Sequence, residues 1–373
     1  MLWYVTSDIK FFITEEFKIN FKSKKVISLP KNDDEVINEI KKLKNDEWKN
    51  FVVVDNIYPS KRLKSLFVVK EIEYKSFLTT QEIEHKVSLE EVLQTRLGLV
   101  IRRPKTTYND MKGFEEVVEI LNVLDEKVKN KDFSLKPLFF LGMAGTGKSR
   151  IAEAYAGEHG IPLIDLNISA IAEDKQPLKK LNEIFGLLSS FDEKLCLRLD
   201  EFEQMSKNED LLGEMLTILN DLNKGGYSFK GMMFLTSNNI SELIKKVPQF
   251  FRHGRFSEKL FISFPKKENA IKVMNYFNKV FDLRYNDSEL EQIYLYVETT
   301  YKDDNFTWQE NRSPYVPAEF EALFGVLKDR SLGIFNKKIV SSSVKEVKPL
   351  LVTGKEGVQR MYQKAKEQEF KEI

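Results

Sequence analysis

The chain has 373 residues, with 58 Lys plus Arg against 57 Asp plus Glu and a formal net charge of +1. Its 42% hydrophobic and 31% charged content excludes disordered and collagen-like classes, and the length suggests two or three domains. A single cysteine, Cys196, excludes an internal disulfide, and the three histidines (His85, His159, His253) lie too far apart in sequence for metal-ligand spacing. No apolar run reaches the roughly 18 residues of a membrane helix, and the opening MLWYVTSDIKFF lacks a basic stretch and a cleavage site. The expectation is a soluble, unprocessed protein of the reducing cytoplasm with no membrane partner.

The near-neutral total hides a division. Residues 1–100 carry 17 basic and 16 acidic side chains, residues 101–324 carry 30 and 35, and residues 325–373 carry 11 and 6. Only the last segment is basic, and a solvated helical face accounts for it better than a nucleic-acid contact does.

In residues 1–60, short apolar runs alternate with polar breaks. Val36, Ile37, Ile40 and Leu43 recur at helical spacing behind Asp33 or Asp34, and Phe51–Val54 is a β-branched strand candidate. This βαβ rhythm predicts a small α/β domain over 1–97, without a phosphate loop. Arg102-Arg103-Pro104-Lys105 is a polar break, and Val117, Val118, Leu121 and Leu124 then mark a helix over Glu115–Val128. From Pro137 five apolar runs (LFFL, IPLIDL, LCLRLD, GMMFLTS, KLFISFP) alternate with helical segments, which predicts a parallel sheet covered on both faces, a doubly wound α/β unit over 98–264. Helical periodicity over Lys266–Val280 and Leu290–Val297, a polar stretch at Thr299–Pro317 and a basic tail from Lys328 to Lys371 predict a mainly helical segment over 265–373.

Gly142-Met143-Ala144-Gly145-Thr146-Gly147-Lys148-Ser149 satisfies G-x-x-x-x-G-K-[ST] between a strand candidate and a helix candidate. Glycines let successive backbone N–H groups face phosphate oxygens, the lysine reaches the β and γ phosphates, and the serine hydroxyl suits Mg²⁺. Leu195–Leu199 ends in Asp200-Glu201, 52 and 53 positions beyond Lys148. Asp200 suits the Mg²⁺ shell alongside Ser149, and Glu201 suits a general base polarising water. Arg198, inside that strand, needs a partner or a route to an edge.

Asn238, after Met232–Ser237, is a candidate to orient the attacking water, although an Asn pair after a strand also reads as a plain turn. Arg252 and Arg255 flank His253-Gly254 just before the last strand candidate. They suit the γ-phosphate of a neighbouring subunit or, alternatively, a solvated surface loop.

These motifs, from Thr107 to about Asn278, resemble the AAA+ ATPases of the classical group. Tyr108-Asn109-Asp110-Met111-Lys112-Gly113 resembles the F-x-D-I-G-G element around the adenine, with Lys112 in place of the first glycine, and places Asp110 and Met111 beside the nucleotide. Phe251-Arg252-His253-Gly254-Arg255-Phe256 resembles L-R-x-G-R-F, which makes Arg252 and Arg255 arginine fingers. The string VPQFFRHGRFSEKLFISFP, the segment Pro317-Ala318-Glu319 and the ending KPLLVTGKEGVQRMYQKAKEQ are most similar to the Ycf-type AAA+ proteins of cyanobacteria and plastids. The resemblance implies ATP and Mg²⁺ as ligands, a homo-oligomeric ring, expected to be a hexamer, and a helical lid over 265–373. It also implies an ATP hydrolase that remodels a protein partner. The segment Ser169–Pro177 has no aromatic for gripping a threaded chain, and Pro317-Ala318 stands where the group has Gly-Ala. A nucleotide-gated scaffold with slow turnover, or a nucleic-acid remodelling ATPase, are the alternatives.

Overall fold

The computed structural model describes residues 99–129, 137–188, 194–224, 231–252, 254–301, 311–331 and 333–373, together with four strands and Asn38 among the first 98. The chain divides into two compact units, one of residues 1–98 with 182–188, the other of 99–181 with 189–373.

In the first unit β1 (Leu2–Thr6), β2 (Lys25–Ser28), β3 (Phe51–Asp55) and β4 (Val69–Glu73) form a parallel sheet in the order β2-β3-β1-β4. The Phe51–Val54 run forms β3, with Val53 opposite Tyr4. Parallel neighbours need crossover connections rather than hairpins. Of the helix predicted around Val36–Leu43 only Asn38 is described, and it is helical; the rest lies outside the described residues.

The second unit begins with β5 (Val100–Arg102), a 3-10 turn at Tyr108–Asp110 and α1 (Glu115–Lys129). There follow β6 (Leu138–Gly142), α2 (Lys148–Glu158), β7 (Leu163–Leu166), α3 (Ile168–Ala172), α4 (Pro177–Leu188, of which residues 182–188 group with the first unit) and β8 (Leu195–Leu199). A 3-10 turn at Phe202–Lys207 leads to α5 (Glu209–Lys224), β9 (Gly231–Ser237), α6 (Ser241–Lys246) and β10 (Glu258–Ile262). The remainder is α7 (Lys267–Val280), α8 (Asp287–Tyr301), α9 (Pro317–Ser331), α10 (Lys337–Glu346), α11 (Leu350–Thr353), α12 (Lys355–Glu367) and β11 (Lys371–Glu372).

The sheet runs β11-β10-β6-β9-β8-β7-β5, parallel throughout except for β5. All five predicted strands are present. β6, β8 and β9 are buried at every position, the reason their sequences are mainly apolar without alternation, Arg198 being the one charge among them. This is the doubly wound α/β architecture expected of a P-loop protein. The chain leaves β6 on one side and returns on the other, so β6 is a switch point, where ligand sites of open parallel sheets form beyond the carboxyl ends of the strands.

Two features tie the rest to that sheet. Phe139 of β6 is fully buried under a phenylalanine cluster, its ring centroid 6.1 Å from Phe202, 6.1 Å from Phe250, 4.9 Å from Phe251, 5.4 Å from Phe256 and 5.9 Å from Phe370. Each such ring contributes about 1.5–3 kcal/mol by leaving water, with edge-to-face geometry adding to it. Helices α7 to α10 form a second core, in which Ala270, Val273, Met274 and Phe277 line one stripe of α7 against Ile293, Phe320, Phe324 and Val340. Arg312 joins this helical part to the sheet, its guanidinium donating to the Phe264 carbonyl at 2.6 Å and pairing with Glu372 at 2.9 Å. Among the described residues no helix is long and apolar enough to cross a membrane.

Candidate functional site

Parallel pairing brings the carboxyl ends of β6, β8 and β9 to one edge. Leu141 lies opposite Ser237 and Leu199 opposite Leu235, so Asp200, Glu201, Asn238 and the loop from Gly142 emerge side by side. The loop then enters α2 through Gly147, whose φ of 92° is the left-handed region and whose Cβ, were there one, would lie 3.0 Å from the Phe114 ring. The free N–H groups and dipole at the start of α2 favour an anion there.

Met143, Thr146 and Lys148 are buried, whereas Ala144 and Gly145 are exposed at the tip. The Lys148 ammonium donates to the carbonyls of Gly142 and Met143 and to Asn238 Oδ1, each at 2.8 Å. Burial pushes its pKa down from 10.5 to about 8, against the opposing pull of the Asp200 and Glu203 carboxylates. The Ser149 hydroxyl donates to Asp200 Oδ2 at 2.8 Å, and Thr236 donates to the other carboxylate oxygen. Glu201 is exposed, in the left-handed region at φ 51°, with its N–H donating to Thr236 Oγ1 at 3.3 Å. Strain of that kind, about 1–3 kcal/mol, persists where surrounding structure over-determines it.

Arg198 has its partners. It donates to Asp165 Oδ1 at 2.6 Å, to the Ser149 carbonyl at 2.8 Å and to Glu153 at 3.2 Å. Asp165 sits directly opposite Arg198 in the β7–β8 ladder. Arg102 of β5 also pairs with Asp165 and lies 3.3 Å from Glu153, so two cations and two carboxylates form one network beneath the start of α2.

Asp110 accepts from the N–H of Thr107 at 2.8 Å and caps its own turn, while Met111 is buried in the core against α1 and α2. On the opposite side the start of α9 reaches the loop. The Ala318 N–H donates to the Gly145 carbonyl at 3.1 Å, and Glu319, its carboxyl raised by burial, accepts from the N–H groups of Val316 and Leu350.

The two arginines differ. Arg252 is exposed. Arg255 is buried, donating to the Gln249 carbonyl at 2.9 Å, the Phe250 carbonyl at 3.2 Å and Asn220 at 3.4 Å. Both belong to the segment that packs Phe250, Phe251 and Phe256 around Phe139.

Three polar residues at this edge carried no sequence signal. Thr236 bridges Asp200 and Glu201 as described. Glu203 accepts from the Asn238 N–H at 3.2 Å, and its other oxygen is buried without a partner. Glu319 is legible only within the Pro317-Ala318-Glu319 resemblance, which gives it no role at the site. An acid two places beyond Glu201 is the trace Glu203 leaves, and only the 3-10 turn there brings it under Asn238.

Residues 138–264 match the family described as ATPase family associated with various cellular activities (AAA). The chain is 25% identical over 212 residues to the ATP-dependent zinc metalloprotease FtsH of Helicobacter felis, covering 51% of this chain and 32% of that protein. It is 24% identical over 343 residues to the AAA domain-containing protein ycf46 of Guillardia theta, covering 83% of this chain and 62% of the relative. The chain thus spans less than two thirds of either relative. The crystal structure of the FIGL-1 AAA domain in complex with ADP matches with a TM-score of 0.54 at 15% identity, over 76% of this chain and 98% of that one. Residues 138–264 match the AAA family, and the chain as a whole resembles the Ycf46-type AAA+ proteins.

Proposed function

We propose that the second unit binds ATP with Mg²⁺ and hydrolyses it, in a homo-oligomeric ring, a hexamer, that remodels a protein partner in the cytoplasm. The observation that carries this reading is the convergence of Lys148, Ser149, Asp200, Glu201 and Asn238 at one edge of one sheet. The donor set fits the ligands: a lysine with three N–H donors, a row of loop N–H groups at the start of a helix, and a hydroxyl already 2.8 Å from a carboxylate. Ser149 and Asp200 would hold Mg²⁺, which when bound neutralises charge between the β and γ phosphates.

Lys148 binds the β and γ phosphates, and the N–H groups from Met143 to Gly147 line the phosphate chain. Asp110 and Met111 border the adenine, with Val316 and Ala318 closing from the lid. Glu201 takes the proton of the attacking water, and Asn238 orients that water. Arg252 acts on the γ-phosphate of the neighbouring subunit, where a guanidinium stabilises charge developing in transfer. Arg255 holds the turn that presents it. Exposure of Arg252 and burial of Arg255 support this division. Glu201→Gln tests the reading: the variant is expected to accumulate as ATP-bound oligomer with phosphate release abolished, and unchanged release overturns the assignment.

One observation favours a second reading. α3 and the residues after it, Ser169–Pro177, carry no aromatic. A nucleotide-gated scaffold with slow turnover needs none. Strong stimulation of hydrolysis by an unfolded protein supports the remodelling reading, and nucleotide-dependent partner capture without stimulation supports the scaffold.

A further inference from the structure

The end of the chain returns to the sheet beside the segment that carries Arg252. β11 pairs with β10, Leu260 opposite Lys371 and Phe261 opposite Glu372. The pairing continues through Ile373, whose N–H donates to the Phe261 carbonyl at 2.9 Å. Phe370 is buried, its ring 5.1 Å from Phe251 and 5.9 Å from Phe139. Lys259 donates to the Gln368 carbonyl at 2.6 Å and to the Phe251 carbonyl at 3.4 Å, with its ammonium 5.8 Å from the Phe370 ring centre.

Phe251, the residue before Arg252, is therefore held twice by the tail, at its ring by Phe370 and at its carbonyl through Lys259. A cleft of about 220 Å³ is lined by residues of both segments, Arg252, Lys259, Glu369 and Lys371 among them. The tail is anchored on its far side as well, Lys371 to Glu116 at 3.2 Å and Glu372 to Arg312 at 2.9 Å. Upstream it is the continuation of α12, where the Tyr362 ring stands edge-on to Phe261 at 4.8 Å.

We propose that residues 368–373 are a positioning element for Arg252: they fix the Phe251 backbone so that this guanidinium is presented to a neighbouring subunit. The inference rests on the reading of Arg252 as the group that acts in the neighbour's site. A packed aromatic and a two-carbonyl lysine clamp on the adjacent residue restrict the rotations that would otherwise blur the pose of the guanidinium, and misplacement of such a group is costly to the rate.

The test uses full-length chains in mixed assemblies. Donor subunits carry Glu201→Gln, which removes their own turnover and leaves Arg252 in place; acceptor subunits carry Arg252→Ala and keep an intact site. Donors are expected to restore hydrolysis to acceptors. Donors that also carry Phe370→Ala or Lys259→Met are expected to restore about tenfold less, with nucleotide affinity and oligomer size unchanged, and Phe370→Leu is expected to recover most of the loss. Lys259→Met leaves the phenylalanine cluster intact and reports on the clamp if Phe370→Ala unfolds the chain. Equal restoration by clamped and unclamped donors overturns the positioning role alone. No restoration by any donor overturns the Arg252 reading, and the positioning role with it.

Discussion

The Lys148 ammonium and the Asn238 side-chain oxygen lie 2.8 Å apart, which ties the phosphate loop to the end of β9. Glu203 accepts from the backbone N–H of Asn238 at 3.2 Å, which fixes the main chain at the end of β9, and the side-chain oxygen takes the lysine hydrogen bond. Asn238→Ala is expected to lower the rate of ATP hydrolysis by about a hundredfold, the usual effect of removing one oriented polar group from a charged transition state. Nucleotide affinity, read by titration calorimetry, should change far less. A loss in affinity as large as the loss in rate would contradict a role in orienting water.

The depressed pKa of Lys148 gives a pH dependence with a definite sign. Its folded value, about 8, lies below the ordinary 10.5, so between these two pH values the unfolded chain binds more protons than the folded one. Stability from this group therefore rises with pH across that window, as the charged, desolvated form disappears. Bound phosphates need the charged form, so nucleotide binding should take up a proton above pH 8 and weaken as pH rises. Calorimetry near pH 9 in two buffers of different ionisation enthalpy measures that uptake, and identical heats would refute it.

Gly145 is the point where the loop after β6 meets the start of α9. At φ 79° it has a left-handed backbone, and a Cβ there would lie 2.8 Å from the Ala318 Cβ and 3.3 Å from Val316 Cγ2. Gly145→Ala is expected to cost about 1–2 kcal/mol from the left-handed backbone, with a further loss of nucleotide affinity as α9 is pushed away. Ala318→Gly should recover part of the affinity loss and none of the backbone strain, a coupling that a double-mutant cycle reads directly.

Arg252 and Arg255 should separate by phenotype. Arg255→Ala removes three hydrogen bonds from a buried turn and should lower stability by about 1–3 kcal/mol in denaturant unfolding. Arg252→Ala should leave the unfolding curve in place and abolish most turnover in the assembled protein. Equal loss of stability in both variants would contradict the division between them.

Arg198→Met leaves Asp165 and Glu153 facing Arg102 alone. The expected cost is about 2–4 kcal/mol, and Asp165→Asn in the same chain should restore a good part of it. Guanidinium unfolding of the two variants decides the matter.

Strands β6, β8 and β9 were legible because burial on both faces writes an apolar run into the sequence, and the buried parts of β7 and β10, Leu163-Ile164 and Leu260–Ile262, left shorter runs of the same kind. β5 and β11 were not: Val-Ile-Arg and Lys-Glu are edge segments whose pairing partners lie 61 or more positions away in the chain, Arg102 opposite Leu163 and Lys371 opposite Leu260, and neither has a local pattern. The need of Arg198 for a partner was readable from its place in an apolar strand, but Asp165 became that partner only through ladder register. Arg252 and Arg255 read as an equivalent pair. The structure distinguishes them because the carbonyls of Gln249 and Phe250 turn toward one guanidinium and not the other.

Because β11 completes one edge of the seven-stranded sheet and β5 the other, the five strands between them are framed by the first and last strands of the second unit. A ribosome delivers β5 early and β11 last. The phenylalanine cluster therefore stays open on the Phe370 side until the final residues of the unit emerge, although the phosphate loop and its partners from β8 and β9 are already made. On the proposed reading of this site, nucleotide present during synthesis should hold the incomplete sheet together while β11 arrives.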